Sequence, residues 1–276
     1  MDWVERARLM RFPESSSFQG KLLRWIKGSM GKAFRIAVNN PLLNSAAAWC
    51  GADPLLCRLH HQWVGRNFNP AKSLQENVGF SHREDVEAAL SKVHGTLWSF
   101  ACGNLEEGAS ILDLGSGTGL IAKRMSSRFK IVGIDISEEL TRVARKENPQ
   151  CEFHVGDFLS FECGSDFALI YSIGVLMYFP PSRLRLFFER AHEVLRPGGY
   201  LFLQYSHALK RSDLWFPDIS SIKYSPAIVE RCAAEFFKIE AHHHSFFEEK
   251  IVQDYDRDPF PMDSFVNGYL LIARRP

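Results

Sequence analysis

No stretch of about 18 consecutive apolar residues occurs in this chain, so no segment reads as a membrane-spanning helix. The first 20 residues lack the apolar core of a secretory signal, and the expected location is the cytoplasm. The six cysteines, Cys50, Cys57, Cys102, Cys151, Cys163 and Cys232, show no Cys-x-x-Cys spacing. That removes the commonest redox and zinc frameworks and leaves reduced, packed thiols as the expectation. An excess of one charge is missing too: 33 Lys and Arg face 32 Asp and Glu, for a net charge of +1. A surface coated for nucleic acid would be far more basic. Neither Gly-Lys-Ser nor Gly-Lys-Thr occurs, which excludes a P-loop for nucleoside triphosphates. Internal repeats and low-complexity tracts are absent as well. Apolar side chains are abundant: 46% of the 276 residues are hydrophobic, enough for one large domain or one domain plus a cap.

The most informative stretch is Ile111-Leu112-Asp113-Leu114-Gly115-Ser116-Gly117-Thr118-Gly119-Leu120-Ile121-Ala122. A short apolar run suits a buried strand. Three glycines at alternate positions let the backbone turn sharply and approach a ligand. Leu120 and Ile121 then open a helix, whose first backbone N–H groups can meet a negative group. A dinucleotide fingerprint, Gly-x-Gly-x-x-Gly, fails from Gly115, because position 120 is Leu120. From Gly117 it holds only if Ala122 stands for the third glycine, so the loop alone leaves a nicotinamide dinucleotide open.

Further strands follow in order. Lys130 to Ile134 end at Asp135, 22 residues beyond Asp113, where a carboxylate can accept hydrogen bonds from a ribose diol. Glu152 to Val155 precede Gly156-Asp157-Phe158. Asp166 to Tyr171, with Ser172, form a fourth strand. Arg196-Pro197-Gly198-Gly199 stop a helix before a fifth strand at Tyr200 to Tyr205.

Asp-x-Gly-x-Gly-x-Gly from Asp113 to Gly119, followed by these motifs in this order, resembles the class I methyltransferases that use S-adenosylmethionine. The resemblance covers roughly residues 90 to 275. It implies an α/β fold, a doubly wound, seven-stranded, mostly parallel sheet with an N-terminal helical lid. Residues 1–80 would be the lid and residues 81–276 the cofactor-binding domain. It also implies a cofactor site built from Asp113, Gly115, Ser116, Gly117, Thr118, Gly119, Asp135, Ile136, Asp157, Phe158 and Ser172. In that family the acid after the third strand faces the adenine amino group, and an apolar neighbour lies against the ring.

Helices are expected over Glu84 to Phe100 (with Ser81 and Glu84 at capping-box spacing), Leu120 to Ser127, Glu138 to Glu147, Ser182 to Leu195, and Pro226 to Ala234 capped by Ser225. Phe236 to Phe247 and Phe265 to Arg274 read as two last strands, an antiparallel pair at one edge if the family pattern holds. Residues 1 to 40 carry eight basic and three acidic side chains. Within them, residues 21–38 mix Leu22, Trp25, Ile26 and Phe34 with Lys and Arg. A lid helix is the expectation there, with weak contact to an anionic membrane surface as the alternative.

Methyl transfer from a sulfonium asks the protein to position, to desolvate and, where needed, to take a proton. His207, just past the fifth strand, is the candidate general base, because histidine titrates near neutrality. Tyr178, past the fourth, is the candidate for orienting an acceptor, and His82 could reach the site from the lid side. His242-His243-His244 does not suit a metal, since neighbours on a strand face opposite sides, and no metal is expected. Asp254, Asp256 and Asp258 lack the glycine and distal Glu of a calcium loop. Ser172-Ile173-Gly174-Val175-Leu176 stands where amide and base N-methyltransferases often carry Asn-Pro-Pro-Tyr, and resembles small-molecule enzymes instead.

The expectation is therefore transfer of the methyl of S-adenosylmethionine to an oxygen or nitrogen of a small molecule, with no nucleic-acid partner. The rivals are an RNA methyltransferase, a catalytically silent methyltransferase-like partner subunit, and an NAD-dependent oxidoreductase. The last lacks a Tyr-x-x-x-Lys pair and leaves Gly156-Asp157-Phe158 unexplained.

Overall fold

The computed structural model describes residues 84–179, 181–206, 224–244 and 268–276. Residues 1–80, Ser81, His82, His207 and the Asp254–Asp258 stretch, on which several expectations fall, lie outside the described residues.

Elements alternate along the chain: α1 (Glu84–Asn104), β1 (Ser110–Leu114), α2 (Leu120–Met125), β2 (Lys130–Asp135), α3 (Glu138–Glu147), β3 (Glu152–Val155), β4 (Phe167–Ile173), a 3-10 turn (Leu176–Tyr178), α4 (Pro181–Val194), β5 (Leu195–Ser206), α5 (Pro226–Ala234), β6 (Lys238–His244) and β7 (Gly268–Arg274). They build one seven-stranded sheet in the order β3-β2-β1-β4-β5-β7-β6. β1 pairs in parallel with β2 and β4, β2 with β3, and β4 with β5. β7 runs antiparallel to both β5 and β6, so the two last strands form the antiparallel pair at one edge that the family resemblance implies. The order reverses at β1, which places a crevice beyond the carboxyl ends of β1 and β4.

Strands sandwiched by helices must be apolar on both faces, and β4 buries all of Phe167 to Ser172. Alternate side chains divide the core. Leu112, Ile170, Leu201 and Leu203 pack with Phe187 and Phe188 of α4 and Val229 of α5. Ile111, Leu169, Tyr171 and Phe202 pack with Leu97 and Ala101 of α1 and Met125 of α2. Each fully buried Leu, Ile or Phe stabilises the fold by roughly 1.5–3 kcal/mol. α3 shows the same logic locally. Leu140, Val143 and Ala144 are buried at helical spacing, and Ser137 Oγ accepts from Leu140 N at 3.3 Å as its cap. Glu138 and Glu139 in the first turn and Arg145 and Lys146 in the last complement the helix dipole.

Two local expectations change. The break expected at Arg196–Gly199 does not end the pairing: β5 already begins at Leu195, which pairs with Phe167. Gly198, at φ 74, absorbs the irregularity, and the register shifts between Phe167 and Leu169. Ser225 stands at the N-cap of α5, but its side chain makes no capping bond. The histidine run lies on β6, where His242 Nε2 stands 2.9 Å from Tyr205 Oη and His242 Nδ1 lies 2.8 Å from Glu230 Oε2. Among the described residues no helix is long and apolar enough to cross a membrane. Cys102, Cys151, Cys163 and Cys232 are free thiols.

Candidate cofactor site

β1 delivers Asp113 and the glycine loop to the crevice. Gly115, Gly117 and Gly119 all adopt positive φ, at 78°, 51° and 74°. A Cβ on Gly115 would stand 2.2 Å from Val175 Cγ2, so the loop after β1 touches the loop after β4 directly. A Cβ on Gly119 would stand 2.5 Å from Asn148 Nδ2. Only glycine meets both the conformation and the space at these two positions.

The loop is pinned from two sides. Gly115 N and Ser116 N donate to Ile134 O at 2.8 and 3.1 Å. Gly117 N donates to Asp135 Oδ2 at 2.8 Å, and Ser137 N donates to Asp135 Oδ1 at 2.8 Å. On the other flank Asn148 Nδ2 donates to Gly119 O at 3.1 Å. Burial raises the Asp135 carboxyl above its ordinary value, and the N–H bonds from Ser137 and Gly117 work against that rise. Asp135 is thus a structural clasp for the loop as well as a candidate ligand contact. Two accepted bonds leave about two of its four lone-pair positions.

Asp113 is 3% exposed, and its Oδ2 has no hydrogen-bond partner. Burial, with the nearby Asp135 adding to it, pushes its carboxyl up to about 7 from 3.8. Tyr171 stands beside it in the β1–β4 register, buried and held protonated, its phenol raised well above 10 by burial and by Asp113. Ser116 Oγ and Thr118 Oγ1 in the loop and Ser172 Oγ on β4 are also buried without partners among the described residues. Buried polar atoms are nearly always paired in a complete structure. This concentration of unpaired ones around three turned glycines marks a place shaped for a ligand.

Asp157 follows β3, whose Val155 pairs with Asp135, so the two carboxylates come from neighbouring strand ends. Its Oδ1 accepts from Leu159 N at 3.1 Å, and its Oδ2 accepts from Arg183 Nη2 of α4 at 3.0 Å. Phe158, expected against a ring of the ligand, is instead a core residue: it is 3% exposed, with its ring centroid 5.8 Å from that of Phe187. The reason is the turn after Asp157, where Ser160 N and Phe161 N both donate to Asp157 O and direct the next side chain inward under α4. Ile136 is half-buried between Asp135 and Ser137. Tyr178 sits half-buried in the 3-10 turn, its N–H donating to Val175 O at 2.9 Å. Among the described residues no group of three or more His, Cys, Asp or Glu could hold a metal ion.

The structure therefore brings Asp113, Gly115 to Gly119, Asp135, Ser172 and Asp157 to the carboxyl end of the sheet, and it packs Phe158 against Phe187 of α4. Sequence reasoning missed Val175, Asn148, Ser137 and Arg183. Only Ser137 left a readable signal, as a serine just before an amphipathic helix; the other three act through contacts between segments distant in the chain.

Residues 111–199 match a family described as methyltransferase domain. The chain is 25% identical over 145 residues to dTDP-4-amino-2,3,4,6-tetradeoxy-D-glucose N,N-dimethyltransferase of Saccharopolyspora spinosa, covering 49% of this chain and 55% of that protein. It is 31% identical over 178 residues to dTDP-3-amino-3,6-dideoxy-alpha-D-glucopyranose N,N-dimethyltransferase of Streptomyces fradiae, covering 62% and 57%. The chain thus spans little more than half the length of these relatives. The fold is similar to that of N-methyltransferase NodS from Bradyrhizobium japonicum WM9, solved with S-adenosyl-l-homocysteine, with a TM-score of 0.56, 15% identity and coverage of 74% and 96%.

Proposed function

We propose that the protein, whose residues 111–199 match a methyltransferase-domain family and whose strands build one seven-stranded sheet, transfers the methyl of S-adenosylmethionine to a nitrogen or oxygen of a small molecule. The observation that carries this is the buried Asp113 carboxyl, whose Oδ2 has no hydrogen-bond partner among the described residues, beside the three turned glycines, an acid placed to meet the cationic part of a ligand. Asp113, the loop amides, Asp135 and Asp157 would hold the cofactor, and Ser172 would face it from β4. S-adenosylmethionine, bound there, would supply both the methyl group and its own sulfur leaving group.

The protein's part is to bind, align and keep water out. The Asp135 clasp fixes the loop amides before the ligand arrives, and preorganisation of this kind lowers the cost of ordering on binding. Val175, pressed on Gly115, sets the boundary between cofactor loop and acceptor side. Tyr178 would orient the acceptor. His207 would take a proton from an acceptor that must lose one, and residues 1–80 would close over the pocket as a helical lid. Supported by the two aminosugar relatives, an amine is the first acceptor class to try.

Calorimetry with S-adenosylhomocysteine, and mass spectrometry of amines, alcohols and carboxylates incubated with S-adenosylmethionine, test the reading. Cofactor-product binding and a methyl-mass gain on at least one small molecule are expected. Absence of S-adenosylhomocysteine binding rules the reading out.

The Asp113 carboxyl makes a pH-dependent expectation. Its folded value, about 7, lies above the ordinary 3.8, so the folded chain keeps a proton the unfolded chain releases in between. Its stabilising contribution is full below pH 3.8 and is lost as pH rises to about 7. The α-ammonium that S-adenosylhomocysteine shares with S-adenosylmethionine, seated beside it, would favour the ionised form, so binding at pH 6 should expel that proton. Titrations of S-adenosylhomocysteine at pH 6 in buffers of different ionisation enthalpy should show release of nearly one proton, abolished in Asp113→Asn. Equal proton release by both proteins would remove Asp113 from the site.

A further inference from the structure

Arg183 belongs to α4, beyond the loop that follows β4, yet its guanidinium reaches back 26 positions to Asp157. The ion pair is partly buried, with 21% of the Arg183 side chain and 28% of the Asp157 side chain exposed. Asp157 is held at both oxygens: Leu159 N–H fixes Oδ1 and Arg183 fixes Oδ2. A carboxylate offers about four lone-pair positions, so about two stay open. The two donors also remove the rotation that an exposed aspartate ordinarily keeps. The turn bond from Leu159 alone is local and does not need Arg183. A second anchor drawn from another element is unexplained by the turn, and it fixes the direction in which the open lone pairs point.

We infer that Arg183 is a positioning residue for nucleobase recognition, holding the Asp157 carboxylate so that it accepts from an exocyclic amino group and rejects a carbonyl in its place. This rests on the cofactor assignment proposed above. The ligand class is a 6-aminopurine nucleoside. A 6-oxopurine would set its own acceptor against Asp157, and two facing acceptors repel. Charge-assisted bonds of this sort are the strong ones, and the planar fork of arginine sets their direction.

The test compares S-adenosylhomocysteine with S-inosylhomocysteine, in which the 6-amino group is replaced by oxygen, by calorimetry on the full chain. The wild type should prefer the adenine ligand by about tenfold or more, the loss expected for one unmade bond to a charged group. Arg183→Met should lose most of that preference, weakening the adenine ligand by about tenfold while changing the inosine ligand less than about threefold. Arg183→Lys, which keeps one cationic donor, should retain most of the preference. Asp157→Asn should lose it, and adding Arg183→Met to Asp157→Asn should cost nothing more, because the arginine acts through the aspartate. Equal weakening of both ligands in Arg183→Met assigns the arginine to holding α4 in place and overturns the inference. So does an unchanged preference in Asp157→Asn. Binding of neither ligand by the wild type defeats the cofactor assignment and this inference together, whereas binding of both without preference defeats this inference alone. If Arg183→Met does not fold, Arg183→Lys and Asp157→Asn decide by the same ratio.

Discussion

Gly119→Ala will destabilise the whole domain and not only its ligand site. Gly119 sits at φ 74 at the N-cap of α2, where a Cβ is disfavoured by roughly 1–2 kcal/mol. The added carbon would stand 2.5 Å from Asn148 Nδ2, 3.1 Å from Phe153 Cζ and 3.2 Å from Ala144 Cβ. Asn148 cannot step aside freely. It is 1% exposed, and its amide donates to both Gly119 O and Ala144 O. Moving it sacrifices about 1 kcal/mol per bond, in addition to overpacking costs of about 1–3 kcal/mol. A total of about 4–7 kcal/mol is a large share of the roughly 5–15 kcal/mol of a typical domain. Thermal unfolding should shift down by about 10 °C, at roughly 2–4 °C per kcal/mol for a domain of this size. A shift under about 2 °C would mean that the loop does not hold this conformation.

The second large effect is expected at Asp135. Asp135→Ala removes the acceptor of both Gly117 N–H and Ser137 N–H, each bonded at 2.8 Å. Hydrogen bonds to a charged group contribute about 1.5–3 kcal/mol each. The loop loses its anchor on β2, and under the proposed function the ligand would lose a carboxylate at the same moment. Affinity for S-adenosylhomocysteine should fall by about 100-fold, at 1.4 kcal/mol for each factor of ten. Asp135→Asn keeps one acceptor oxygen and should fall between the two. Calorimetry on proteins checked for native circular dichroism measures this. A loss below about threefold would show that Asp135 serves neither the loop nor the ligand.

Asp135 also shows what a sequence conveys and what it withholds. Its place at the end of the second strand was readable from the apolar run before it. Its two N–H partners were not, because spacing fixes where a side chain starts and not which of several competing donors it meets. Phe158 makes the same point from the other direction. An apolar residue after an acid invites a ring contact, but the turn bonds to Asp157 O decide which way it faces, and they bury it under α4. The alternation of apolar runs and helical segments placed the strands along the chain, and the antiparallel edge came from the family resemblance; the order in which the strands pair was not readable. The start of β5 did not, because Pro197 and the two glycines read as a stop, whereas the backbone stays paired through a positive-φ glycine. Val175 lay in a segment the sequence singled out, but its contact with Gly115 was not readable, and Arg183 was invisible, because each matters for what it touches far along the chain.

The sheet order has a consequence for how the protein is made. β7 lies between β5 and β6, although β6 is synthesised first and residue 268 follows residue 244 by 24 positions. Among the described strands, β6 has none to pair with until β7 emerges, and β5 has no neighbour on that side. A nascent chain halted in this interval displays two unpaired edges, the kind of surface that recruits other strands and chaperones. Insertion of a single late strand closes both at once, so completion of the sheet is a vectorial event that waits on β7.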